Sequence, residues 1–223
     1  MEVSVILIAK KESELKNILK DLKKQDYDDF EIVKITGSMS IPEAWNIGIR
    51  KAKGKILLFS EADVRIQKDW IKKMVNLVKK KGFAMGSEVL ATRRNLNMCS
   101  VGIKSEIAKN VLFDETFDTC EDTEWFERLR RMGYKIESEK EPVVYHYKST
   151  DPRKRLLRAF KNGKNHVRIW LKHDNPEMNF KRIILSRGFY ITKEILQLVG
   201  VIWGLVRYSY LIPRKIFHRI KRS

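Results

Sequence analysis

The chain has only two cysteines in 223 residues, Cys99 and Cys120. They are too few and too far apart for a zinc framework or a disulfide scaffold. A reducing compartment is the expected setting, with both thiols as simple buried side chains. Glutamine is almost absent, confined to Gln25, Gln67 and Gln197 beside abundant Lys, Glu and Ile, a bias shared with heat-adapted proteins. Long hydrophobic runs are missing as well. Val3 to Ile8 follows Met1-Glu2 without a basic lead and is too short for an export leader, so it reads as a first strand. Ile195 to Val206 is 12 residues long and broken by Gln197, short of the roughly 20 apolar residues that cross a bilayer. Acidic residues are scarce in the last third: residues 148–223 hold 4 Asp+Glu against 19 Lys+Arg, whereas residues 1–147 hold 24 against 27. Nearly all of the net charge of +18 therefore lies beyond Lys148. This shift marks a boundary between a domain at 1–147 and a basic helical extension at 148–223. Such a segment seeks an anionic partner, either nucleic acid or a negatively charged membrane face.

What the chain does contain is organised around Lys55 to Asp63, KILLFSEAD. A short apolar run, Ile56-Leu57-Leu58-Phe59, bounded by Gly54 and Ser60, has the length and setting of a buried strand. It ends in two carboxylates, Glu61 and Asp63, separated by Ala62. In open α/β sheets a ligand sits beyond the carboxyl ends of the strands. Alternate residues of an extended segment face the same way, so both acids can address one cation. A solvated acidic turn is the competing reading of the triplet alone.

The first half alternates strand and helix signals. Val3–Ile8 is a strand, Ser13–Leu22 a helix with Leu15, Ile18, Leu19 and Leu22 on one face, and Glu31–Ile35 a second strand. Ser40 caps a helix with Pro42 in its first turn that runs through Ala44, Trp45, Ile47, Gly48 and Ala52 to Gly54. After the organising strand, Asp69 caps a helix carrying Trp70, Ile71, Met74, Val75 and Val78. This order predicts an α/β fold, a mostly parallel Rossmann-like sheet with helices on both faces. Farther on, Phe83–Leu90 and Met98–Ile103 read as strands, and Phe113–Phe117 as a loop. Glu121–Met132 reads as a helix stopped by Gly133, with Trp125, Phe126, Leu129 and Met132 as core contacts. Glu121 and Asp122 occupy its first turn, where the helix dipole welcomes negative charge. Pro142–Tyr147 is a last strand whose end carries His146.

These parts, in this order, resemble the family-2 glycosyltransferases of the GT-A fold. The resemblance covers residues 2–147. It rests on the opening VSVIL strand, Glu31-Ile32-Val33, Asn46-Ile47-Gly48, Ala52-x-Gly54, the acidic triplet with Trp70 after it, Phe113-Asp114-Glu115, Glu121-Asp122, and Arg128-Leu129-Arg130-Arg131-x-Gly133-Tyr134. It implies an inverting, metal-dependent transferase that moves a sugar from a nucleotide-diphosphate donor to an acceptor. Asp63 matches the metal-binding member of the family's Asp-x-Asp triplet, with Glu61 and Ala62 beside it. Asp122, paired with Glu121, occupies the place of the general base. His146 resembles a histidine that in some GT-A enzymes approaches the metal or diphosphate, and a structural hydrogen bond is its alternative role. Ile8, Thr36, Ser38 and Asn46 fall along the donor-binding segments. Mg²⁺ or Mn²⁺ suits carboxylate, phosphate and water ligands, whereas zinc would want the His or Cys neighbours that the triplet lacks.

Two departures stand out. Glu61 replaces the usual first Asp, and Ile35-Thr36-Gly37-Ser38 lacks the acidic residue that contacts the nucleotide in relatives. A catalytically degenerate binder of nucleotide sugar or glycan is therefore an alternative. In the tail, Arg153–Lys161 reads as a basic amphipathic helix with Leu156, Leu157 and Phe160 on its apolar side. Ile195–Val206 reads as a helix lying in the plane of a membrane, with Trp203, Tyr208 and Tyr210 at the interface and Arg214, Lys215, Arg219, Lys221 and Arg222 on anionic head groups. Gly200-x-x-x-Gly204 permits close helix contact. The expectation is a protein at the cytoplasmic face of a membrane acting on a lipid-linked or glycan acceptor. Its apolar stripe covers either membrane, the domain or a second copy of the chain. Nucleic acid is the disfavoured partner, because the acidic pairs would repel its phosphates.

Overall fold

A computed structural model describes residues 1–89, 97–147, 151–173 and 191–208. The chain divides into two compact units, Met1–Thr116 with Glu121–Lys148, and Phe117–Cys120 with Ser149–Ser223.

In the first unit, β1 (Val3–Ala9), β2 (Phe30–Thr36) and β3 (Ile56–Glu61) pair in parallel. The connections are α1 (Lys16–Leu22), entered through a 3-10 turn at Glu12–Leu15, and α2 (Ile41–Lys51). Ser40 and Glu43 form a reciprocal cap at the start of α2, which satisfies two otherwise orphaned N–H groups. After β3 the chain makes a short β4 (Val64–Ile66) and then α3 (Trp70–Lys81). Asp69 stands at the N-cap of α3 but its side chain does not accept a cap hydrogen bond. It pairs instead with Lys73 at 2.8 Å.

The stretch expected as one strand from Phe83 splits at Gly86 into β5 (Phe83–Met85) and β6 (Ser87–Glu88), and Leu90 lies outside the described residues. A Cβ on Gly86 would meet Ser100 Oγ at 2.4 Å and the Pro142 carbonyl at 2.6 Å, so only glycine fits where the chain leaves one sheet for another. Met98–Ser100 is a 3-10 turn leading into β7 (Val101–Lys104). A helix absent from the sequence reading, α4 (Ser105–Asn110), follows, then α5 (Glu121–Arg131) and β8 (Val143–His146).

The main sheet has the order β2-β1-β3-β7-β5. Only β7 runs against the others, so the sheet is mostly parallel. A second sheet, β4-β8-β6, carries His146. The strands are apolar on both faces because helices cover both. Val5, Leu7 and Leu58 point into a core with Ile18, Leu22, Trp70 and Met74, and Ile6, Leu57 and Phe59 into a second with Trp45, Trp125 and Leu129. Met132, expected in that core, is 52% exposed, because α5 ends at Arg131 and the chain turns away at Gly133 (φ +91°).

The second unit contains α6 (Pro152–His173) and α7 (Ile191–Arg207). Helix α6 runs straight through Asn162-Gly163. Leu157, expected on its apolar side, is exposed, whereas Ala159, Val167, Ile169 and Leu171 are buried. Gly200 and Gly204 face α6: a Cβ on Gly200 would lie 2.1 Å from the Phe160 carbonyl oxygen, and one on Gly204 3.0 Å from Val167 Cβ. The small-residue pair thus serves contact within this unit. The far side of α7 shows Ile202, Trp203 and Val206, each more than half exposed. Among the described residues no helix is long and apolar enough to cross a membrane. Tyr210 and the closing basic cluster lie outside them.

In the same unit, Asn165 donates to Asp118 Oδ1 (2.7 Å) and to the Thr119 carbonyl (2.8 Å). Lys164 and Lys161 pair with Asp118, and the Arg168 guanidinium lies 4.1 Å from the centre of the Phe117 ring. A buried Asn and four cations, Lys172 over Phe117 being the fourth, thereby hold the Phe117–Cys120 segment.

Candidate active site

The parallel register sets one edge of the main sheet. Ile8 stands opposite both Ile35 and Glu61, and Ala9 opposite Thr36. Ile8, Thr36 and Glu61 therefore end their strands side by side, where a ligand is expected in an open α/β sheet. Thr36 and Ser38 are exposed there. Ala62, half-buried, packs toward the core shared by α1 and α3.

Strand pairing then adds His146. Antiparallel β4 and β8 place it opposite Val64, and the Tyr147 N–H donates to the Asp63 carbonyl at 2.9 Å. His146 Nε2 lies 3.4 Å from Glu61 Oε2 and 3.3 Å from Asp63 Oδ1, and Nδ1 lies 3.5 Å from Glu88 Oε1. Burial works against a charged ring, but the Asp63 hydrogen bond and the charges of Glu61, Asp63 and Glu88 outweigh it and hold His146 above its ordinary pKa. Three carboxylates around one imidazole leave an excess of negative charge even when the ring is protonated. A divalent cation would neutralise it.

A fifth group joins from the 3-10 turn that leads into β7. Cys99 is buried as expected, but its Sγ lies 3.0 Å from His146 Nδ1 and 3.8 Å from Glu61 Oε2. Ser60 Oγ donates to the Cys99 carbonyl at 2.8 Å, fixing the turn against β3. Asn97 accepts from the Cys99 N–H and donates to Glu88 Oε2. Donor atoms of Glu61, Cys99 and His146 all lie within 4.8 Å of one another. The acidic triplet itself contains neither His nor Cys, yet the fold supplies one of each. Sequence reasoning missed Glu88 and Cys99. The only local signal of Cys99 was a thiol between Met98 and Ser100 at the start of an apolar stretch.

The remaining candidates fall into two other groups. Asn46 is buried in α2, and its amide bonds the backbone N–H and carbonyl of Phe113 and the Glu115 carboxylate. It braces the 113–115 loop and is not one of the groups around His146. Glu121 and Asp122 open α5, where Asp122 Oδ1 accepts from the Thr123 N–H at 2.6 Å. Cys120, just before them, has φ +60°, a left-handed conformation uncommon for a non-glycine residue. One turn into α5, Trp125 stacks on Phe113 (4.6 Å between centres) and meets Phe59 edge-on (5.9 Å). Phe59 is two residues before Glu61 on the same face of β3, so aromatic packing ties the start of α5 to the strand that carries the acids.

A concavity of about 620 Å³ lined by Lys53, Gly54, Lys55, Lys79, Lys104 and Lys109 among others lies at the opposite edge, where β3 begins. It takes no part in the carboxylate cluster.

Comparison with known proteins bears on this arrangement. Residues 38–94 match the family described as glycosyl transferase family 2. Comparison with curated protein sequences finds no match. Among solved structures, the fold is similar to the mannosyltransferase PcManGT from Pyrobaculum calidifontis in complex with GDP-Man and Mn²⁺, at 13% identity and a TM-score of 0.62, covering 96% of this chain and 74% of that one. It is also similar to S. aureus TarS 1-349 in complex with UDP, at 14% identity and a TM-score of 0.56, covering 82% and 73%. Against S. aureus TarS the chain covers 46% of that protein's length, at 14% identity and a TM-score of 0.53. The resemblance to family-2 glycosyltransferases of the GT-A fold is thus borne out, by sequence over residues 38–94 and by fold over most of the chain.

Proposed function

We propose that this chain is an inverting, metal-dependent glycosyltransferase that takes a sugar from a nucleotide-diphosphate donor and passes it to a lipid-linked or glycan acceptor at the cytoplasmic face of a membrane. The observation that carries the reading is the grouping of Glu61, Asp63, Glu88 and His146 at the strand-end edge of the sheet. Its excess negative charge calls for a divalent cation, with Glu61, Asp63 and His146 as the groups that would hold it. Such a cation, Mg²⁺ or Mn²⁺ on a carboxylate donor set, would stabilise the charge that builds on the departing diphosphate. Similar folds carrying GDP-Man with Mn²⁺, or UDP, support a donor of this class.

Asp122 is the base in this reading, with Glu121 beside it. As the acceptor oxygen bonds to the anomeric carbon, the bond from that carbon to the diphosphate oxygen breaks, and the acceptor's proton passes to the Asp122 carboxylate. Ile8, Thr36 and Ser38 line the donor along the same edge. Without an acidic side chain at Thr36-Gly37-Ser38, base recognition would rest on hydroxyls and backbone. The catalytic unit is residues 1–147 and the membrane-associating segment residues 148–223. The exposed face of α7, with Ile202, Trp203 and Val206, and the net charge of +15 beyond residue 147 support binding to an anionic surface.

The test is donor hydrolysis and transfer with UDP- and GDP-sugars, each with and without Mn²⁺ or Mg²⁺, on polyprenyl-phosphate and glycan acceptors. Cation-dependent release of a nucleoside diphosphate supports the proposal. Tight donor binding without release across all acceptors would favour the degenerate binder that Glu61 and Thr36-Gly37-Ser38 suggest.

A further inference from the structure

We infer that Cys99 is itself a ligand of the cation in this cluster, so that the centre is a mixed N/O/S site preferring a thiophilic ion such as Zn²⁺ or Co²⁺ over Mg²⁺. The inference rests on the proposal that a cation binds there, and changes the preferred ion from Mg²⁺ or Mn²⁺ to a thiophilic one. Its geometric basis is the mutual spacing of three donors. One donor atom each of Glu61, Cys99 and His146 lies within 4.8 Å of the other two, and Cys99 Sγ is 3.8 Å from Glu61 Oε2. Donors that share an ion at about 2.0–2.3 Å stand at separations of this order.

The surroundings are those of a supported site. A metal-bound histidine turns its second nitrogen toward a carboxylate or carbonyl. That condition holds here with Nε2 as the coordinating nitrogen, since Glu88 faces Nδ1. Asn97 orients both Cys99 and Glu88 through a single amide. With Glu61, Asp63, His146 and Cys99 as protein donors, a donor oxygen or water would join as a fifth.

The chemical consequence concerns selectivity. Carboxylates, water and phosphate by themselves suit Mg²⁺ and Mn²⁺, whereas a thiolate with an imidazole draws zinc and its neighbours in the series. Binding forms the sulfur–metal bond and sends the thiol proton to solvent. The two thiols of the chain thus part ways, one in the cluster and Cys120 at the entry to α5.

The experiment uses the full chain with Cys120→Ser, which leaves Cys99 as the only thiol, and Co²⁺ as the probe. Binding is followed by equilibrium dialysis and by absorption. The expected result is a thiolate-to-cobalt charge-transfer band that grows with occupancy, is missing in Cys99→Ser, and is displaced by Zn²⁺ at a concentration at least about tenfold lower than Mg²⁺ requires. Because one thiol remains, the band identifies its ligand without depending on the Cys99→Ser protein folding. Co²⁺ bound without the band overturns the role of Cys99 while leaving a cation site in place. Displacement by Mg²⁺ as readily as by Zn²⁺ overturns the selectivity. No bound Co²⁺ at all overturns the cation site and the inference together.

Discussion

The two units use charge in opposite ways. In the first, near-neutral unit, acids scattered along the chain at 61, 63 and 88 converge on His146 through strand register. In the second, charge is plentiful but mostly spread: 19 basic residues follow position 147, and among those described Lys161, Lys164, Arg168 and Lys172 gather on one segment, around Phe117 and Asp118. Converged charge binds one small ion or ligand with defined geometry, whereas spread charge binds a surface. The contrast teaches where to look for chemistry in a strongly basic protein. The acids that the net charge conceals carry more functional information than the lysines that dominate it.

The largest effect expected on this contrast comes from Asp122→Asn. It should lower kcat by about 10²–10⁴ on a hydroxyl acceptor with donor binding unchanged, measured as steady-state turnover and nucleotide affinity. A loss below tenfold would move the acceptor toward an already ionised phosphate. In the second unit, Gly200→Val forces a side chain against the Phe160 backbone carbonyl. It should destabilise the helix pair by about 1–3 kcal/mol, read from urea unfolding followed by the tail tryptophans. A neutral result would show that α6 and α7 do not pack through the glycines.

A smaller effect concerns the surface itself. Ile202→Glu on the exposed side of α7 should weaken binding to anionic vesicles on the order of tenfold without changing turnover on a water-soluble acceptor. Equal binding by wild type and variant would remove α7 from the membrane face.

The smallest is a pH effect that the two units share. Burial alone would raise the pKa of Asp21, but the Arg65 guanidinium (2.6 and 2.8 Å) and the Ile66 N–H outweigh it and lower it. Burial likewise opposes, and Asn165, Lys164 and Lys161 overcome, at Asp118. A carboxylate lowered in the folded state stabilises it above the unfolded pKa, near 4, and that contribution is lost as pH falls through the folded value. Asp21→Asn should therefore cost up to about 1 kcal/mol at neutral pH and progressively less as pH falls from the unfolded through the folded value, measured by denaturant unfolding at neutral and at acid pH. The same cost at both would detach the loss from charge.

Legibility in the sequence followed locality. The strands at Val3, Phe30 and Ile56 and the helices at Ile41 and Trp70 are continuous apolar patterns, the Ile41 helix with its own cap, so they could be read directly. The short β4, β6 and α4 could not, because two to six residues carry no period and exist only through pairing or packing. The strand-end position of Glu61 and the last-strand position of His146 were visible. Their company was not: Cys99 is 38 residues from Glu61 and 47 from His146, and the antiparallel insertion of β7 next to β3 that joins them leaves no mark in residue type. Asn46 is alike: a polar residue among the donor-binding segments can be singled out in the sequence, but the Phe113 backbone and Glu115 that its amide engages are 67 and 69 residues away.

The most direct measurement is a thermal-shift titration of UDP and GDP, with and without a divalent cation, on the wild type and on Asp63→Asn. The account predicts a rise in Tm, of a size set by ligand occupancy of the native state, that needs nucleotide and cation together and is abolished in the variant. An equal rise without the cation, or an undiminished rise in Asp63→Asn, would contradict it.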